Sequence, residues 1–66
     1  MEKMDRRLVS LLVSDGRMSY TDLGKAMGMS TSAVHQRVRR LEERGVVRGY
    51  RAVVDADSLG LPLTAF

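Results

Sequence analysis

The sequence has no cysteine and no tryptophan, one histidine, one proline, and three aromatic side chains in all, two tyrosines and a phenylalanine. Without cysteine, no disulfide or thiolate metal site can reinforce the fold. The same lack disfavours a small secreted scaffold and fits a cytoplasmic protein. Long apolar runs are missing as well. The longest, Leu8 to Val13, is broken by Ser10, whereas a membrane-spanning helix needs about 20 apolar residues. A secretory signal is disfavoured too, because Glu2 and Asp5 lie among the basic residues before that run and no small-residue cleavage site follows. With His35 alone and carboxylates mostly beside basic residues, there is little from which to build an enzyme. No catalytic residue, metal ligand or cofactor is expected. Tyr20, Tyr50 and Phe66 form no platform on which single-stranded bases would stack.

What remains is a chain of 66 residues, enough for one small domain. A chain this short buries only about 60% of the surface its unfolded form exposes, so it needs well-formed helix packing, a partner subunit, or both. Eleven Lys and Arg against eight Asp and Glu give a net charge of +3, which permits an anionic partner without naming one.

Three helical patterns come first. Met4, Leu8, Leu11 and Leu12 recur at helical spacing, with Asp5, Arg6 and Arg7 as polar residues between them. Asp15-Gly16 is expected to end this helix, the glycine supplying a left-handed C-cap. Ser19 and Asp22 have the spacing of a capping box, and Leu23, Ala26 and Met27 give the second helix its apolar side before Gly28 stops it. Ser30 caps a third helix over 31–44, with a narrow stripe of Val34, Val38 and Leu41. Gly45 ends it, and Arg44 sits at the negative end of its dipole.

The pattern then changes. Val46 to Val54 reads as an extended strand and Asp55 to Gly60 as a turn or short helical turn. Leu61 to Phe66, apolar around Pro62, looks like the start of a buried strand in a second domain. The predicted fold is therefore mainly α: a three-helix, winged-helix-like domain over 1–45, a strand and hinge over 46–60, and at 61–66 the start of a missing domain.

The junction of the second and third helices is the informative motif. Gly24 is small enough to let another helix approach, Gly28 turns the chain, Met27 and Met29 bury against the first helix, and Val34 anchors the third. This is the layout of a helix-turn-helix, whose later helix enters the DNA major groove. Those residues are core and turn; the contact surface is what the third helix exposes. Opposite its apolar stripe lie Ser32, Gln36, Arg39 and Arg40, with Thr31 and His35 towards one flank and Arg37 towards the other. Ser30 to Arg48 holds five Arg and two Glu, a surplus equal to that of the whole chain. Guanidinium groups suit phosphate or guanine, and amides or hydroxyls suit base edges. Arg37, Arg39 and Arg40 are therefore expected on phosphate or guanine, Ser32, His35 and Gln36 on bases, and Ser30 and Thr31 on the DNA backbone. For His35 a surface position is an equal alternative. Arg40 and Arg44 could instead form a solvated face with Glu42 and Glu43.

These residues resemble the N-terminal part of the leucine-responsive regulator (Lrp/AsnC, or feast/famine) family of transcription factors. Met1 to Val9 resembles the family's opening, Asp15-Gly16-Arg17-Met18-Ser19 its turn before the second helix, and Met27-Gly28-Met29-Ser30 its Val-Gly-Leu-Ser. Arg37-Val38-Arg39-Arg40-Leu41-Glu42, Gly45-Val46-Val47 and Gly49-Tyr50 are the most specific stretch. Leu59-Gly60 and Leu63 to Phe66 resemble the approach to its second domain. Glu2 stands where Asp is usual, which should weaken the first cap, and Gly24 where Ala is usual, which costs about 1 kcal/mol of helix propensity. The resemblance implies a regulator that binds double-stranded DNA and responds to amino acids through the second domain, outside this chain. It also implies a homodimer paired through the Val46–Val54 strand. The alternative is a helical protein-interaction or dimerisation module that binds no DNA.

Overall fold

A computed structural model describes residues 1–60 of the chain; the second-domain start expected at 61–66 lies outside them. Four helices are formed: α1 (Lys3–Ser14), α2 (Tyr20–Met27), α3 (Thr31–Glu43) and the short α4 (Ala56–Leu59). The first three pack around one core.

Leu8 from α1, Leu23 from α2 and Val34, Val38 and Leu41 from α3 are fully buried or nearly so. Val9, Leu11, Leu12, Met18, Tyr20, Met27, Met29 and Val47 pack around them. All three residues of the expected α3 stripe are in this core. Met4, expected beside them, is exposed. Asp5, expected among the polar residues, takes the buried place on the stripe of Leu8 and Leu12, three and seven residues on.

The caps explain the helix boundaries. Ser19 Oγ accepts the Asp22 N–H at 3.0 Å and Ser30 Oγ accepts the Ala33 N–H at 3.2 Å, so each hydroxyl satisfies an amide that the helix itself leaves free. Gly28 ends α2 with φ 68°, a backbone conformation that an L side chain disfavours. At the end of α3 the Gly45 N–H bonds the Glu42 carbonyl and the Val46 N–H bonds the Leu41 carbonyl, the paired pattern of a Schellman motif. The end of α1 departs from expectation. Gly16 is not left-handed; Asp15 is the C-cap, and its carboxylate accepts the Arg17 N–H at 3.0 Å while its carbonyl accepts the Met18 N–H. An aspartate side chain folds this turn, where a glycine backbone was expected.

Gly24 also plays a different part from the one expected. A Cβ at this position would lie 2.5 Å from the carbonyl oxygen of Met29. The close neighbour is the backbone of the turn itself, whose Met29 N–H bonds the Gly24 carbonyl at 2.8 Å.

No strand is formed among the described residues. The segment read as a strand, Val46 to Val54, pairs with nothing here, because a strand needs a ladder partner and a single copy of the chain offers none. It is nevertheless tied down. The Val46 and Val47 N–H groups both bond the Leu41 carbonyl, and the Tyr50 hydroxyl donates to Glu42 at 2.9 Å. Burial, then the hydrogen bond to Glu42, pushes the Tyr50 pKa from 10.0 up to about 12. The raised value means that folding favours the protonated phenol. Its contribution is intact below about pH 10 and is lost as the pH rises towards 12. Urea midpoints compared between about pH 9 and about pH 11.5 should fall less for Tyr50→Phe than for the wild type. Equal falls would show that Tyr50 ionisation does not act on stability.

Candidate nucleic-acid interface

The exposed face of α3 follows from its buried one. With about 100° between successive residues, burying Val34, Val38 and Leu41 turns Ser32, Gln36 and Arg40 to the opposite side. All three are exposed, as are Thr31, His35 and Arg39. Ser30 caps the helix and its hydroxyl lies 3.4 Å from that of Ser32, so the two begin the same polar surface. The His35 ring meets the Tyr20 ring edge-on at a centroid distance of 5.3 Å, which joins the α2 start to this face. Seven of the eight expected contact residues are thus brought together, or onto the adjoining flank.

Arg37 is the exception. Its guanidinium bonds Asp5 at 3.0 Å and Glu2 at 3.3 Å, across the α1–α3 packing. The Asp5 and Glu2 hydrogen bonds hold its pKa further above the usual arginine value. Arg37 thus makes a structural contact that its place on α3 did not suggest, because a carboxylate on the buried side of α1 needs a cation. Asp5 on the Leu8–Leu12 stripe was the sequence signal for that pair. The same contact explains Glu2. It occupies the N-cap position without capping, and its carboxylate is drawn to Arg37. Arg7 ties α1 to α2, donating to the Ala26 carbonyl at 3.1 Å.

The remaining guanidiniums differ in freedom. Arg39 pairs with Glu43 at 3.1 Å, with both side chains about seven-tenths exposed. Such an exposed i,i+4 pair contributes only about 0.3–0.5 kcal/mol and readily exchanges for a phosphate. Arg40 takes part in no ion pair among the described residues. Neither Glu42 nor Glu43 pairs with it: Glu42 accepts from the Tyr50 hydroxyl and Glu43 pairs with Arg39. The surface can therefore offer hydroxyls at its N-terminal end, an amide and an imidazole in the middle, and cations beyond them.

Comparison with known proteins agrees. Residues 1–42 match the AsnC-type helix-turn-helix domain. Over all 66 residues the chain is 47% identical to the HTH-type transcriptional regulator LrpA of Mycobacterium tuberculosis, and 41% identical to the leucine-responsive regulatory protein of Rhizobium meliloti. It spans 44% and 42% of those proteins, respectively. The crystal structure of AldR from Mycobacterium tuberculosis superposes with a TM-score of 0.84 at 42% identity, covering 94% of this chain and 42% of that one. No helix among the described residues is long and apolar enough to cross a membrane. The sequence, the helix-turn-helix geometry and these relatives lead to one conclusion: the chain belongs to the Lrp/AsnC family of helix-turn-helix transcription regulators.

Proposed function

We propose that α3 is a recognition helix that reads double-stranded DNA in the major groove, and that this chain is the DNA-binding part of an amino-acid-responsive transcription regulator. The observation that carries the reading is the exposed face of α3, where Ser32, Gln36 and Arg40, which joins no ion pair among the described residues, stand opposite the buried Val34, Val38 and Leu41. Ser30 and Thr31 meet the DNA backbone at the helix start. Ser32, Gln36 and His35 meet base edges, and Arg39 and Arg40 meet phosphate or guanine. Arg37 supports the helix through Asp5 and is not among the contacts.

Catalysis and cofactors have no part in this reading, and the protein works in the cytoplasm. Since the chain spans 44% of LrpA, the amino-acid effector is assigned to a second domain opening at 61–66, with pairing of copies through 46–54. That pairing suits an extended edge without a ladder partner.

A paired experiment tests the reading. Each phosphate neutralised contributes about −0.9 to the slope of log affinity against log salt. Arg40→Ala should weaken binding to all duplexes alike and make the slope shallower by about one unit. Gln36→Ala should leave the slope unchanged and flatten base preference at one or two positions per half-site, since a bidentate amide–adenine contact is worth about 1–3 kcal/mol of discrimination. Absence of salt-dependent duplex binding by the wild type would sink the proposal and favour a protein-interaction module.

A further inference from the structure

Outside the face of α3, one groove brings three cations together. Arg17, from the α1–α2 turn, and Arg48 and Arg51, from the segment after α3, line a common groove of about 830 Å³. Asp15 is the one carboxylate among its lining residues, and it already accepts the Arg17 N–H. None of the three arginines joins an ion pair among the described residues. All three are exposed. Arg48 and Arg51 also flank Gly49 in a smaller recess. There φ is 154° and a Cβ would meet nothing within 4 Å, so the backbone is open to approach from outside.

The segment that carries Arg48 and Arg51 is held close to α3. The Val46 and Val47 N–H groups are fixed on the Leu41 carbonyl, and the Tyr50 hydroxyl is fixed on Glu42. Arg48 therefore lies between two anchors on the last turns of the recognition helix, and Arg51 directly follows the second. A long polyanion that runs past the end of α3 is the kind of ligand such guanidiniums suit, and duplex DNA carries about one negative charge per 1.7 Å of axis.

We infer that Arg17, Arg48 and Arg51 form a second phosphate-binding surface, which grips the DNA backbone beside the segment that α3 reads. The inference rests on the proposed duplex binding. This grip carries no base information; it adds affinity on every sequence and fixes the angle at which α3 sits in the groove.

The test uses the full chain and a non-specific duplex, with affinity measured at about 50–200 mM salt. Arg48→Ala combined with Arg51→Ala should make the slope shallower by about 1.8, two phosphates' worth. Lys3→Ala combined with Arg6→Ala removes the same net charge from the start of α1 and should leave the slope within about 0.5 of the wild type. Urea unfolding of both variants should match the wild type, since the replaced side chains are exposed and make no side-chain bond among the described residues. A wild-type slope in the patch variant, or an equal loss in the control, overturns the inference. If Arg40→Ala still lowers the slope, the proposed function survives that failure. If the wild type shows no salt-dependent binding, both fall together. Altered self-association of the patch variant at an unchanged slope would reassign the arginines to contacts between copies, and also overturns the inference.

Discussion

Gly24→Val should lower the unfolding free energy by about 3 kcal/mol, the upper end of what overpacking a tight site costs. The cause is local. A Cβ at this position would sit 2.5 Å from the Met29 carbonyl oxygen and 3.5 Å from its carbon, and the clash is with backbone, which cannot rotate away like a side-chain tip. The same carbonyl belongs to the turn that aims α3, so relief of the clash must shift the turn. Two branched methyl groups make it worse. Gly24→Ala should fall between valine and the wild type, because alanine regains about 1 kcal/mol of helix propensity while meeting the same oxygen. Urea denaturation of the three proteins checks the order. A valine variant as stable as the wild type would show that the turn yields freely. Against a total of roughly 3–10 kcal/mol for a chain of this length, the valine loss decides whether the domain is folded at all.

Gly24 also marks the border of what the sequence makes legible. The helices were legible because their signals are local: Ser19 and Ser30 cap their own helices, Gly28 and Gly45 turn their own ends, and the Val34–Val38–Leu41 stripe needs only helical spacing. A small residue at position 24 could be read the same way, but its close neighbour could not, because only the folded turn brings the Met29 carbonyl back over α2. Arg37 is the same lesson at longer range. On a helical wheel it belongs to the cationic flank of α3; in space it is taken by Asp5, 32 residues earlier, and Glu2. Sequence spacing along α3 cannot reveal a partner on α1. Sequence spacing assigns Arg48 and Arg51 to no contact for a related reason, although Arg48 belongs to the basic run that starts at Ser30. Their segment reads as a strand, and only the anchors at Leu41 and Glu42 bring it against the end of α3.

Leu41→Ala should be the most damaging core truncation for function, and DNA should partly reverse it. Leu41 is 1% exposed, and its backbone carbonyl receives both N–H groups that hold the following segment. Truncation of a buried leucine costs about 2–5 kcal/mol, the lost transfer energy plus that of the cavity left behind. In a domain with roughly 3–10 kcal/mol in all, much of the variant is then unfolded at room temperature. The damage falls on both proposed DNA surfaces, because the Leu41 side chain seats α3 in the core and its carbonyl can hold the chain that carries Arg48 only while α3 is folded. A ligand that binds only the folded form restores stability by mass action, by about 2.7 kcal/mol at a hundredfold excess over its dissociation constant. Circular dichroism of Leu41→Ala should therefore show weak helicity without DNA and a helical signal that grows with added duplex at low salt. The duplex-induced gain should shrink as salt rises, in step with the falling affinity. Helicity that stays low at saturating duplex would mean the loss exceeds what binding can supply. A fully helical variant without DNA would mean that the core closes over the missing side chain.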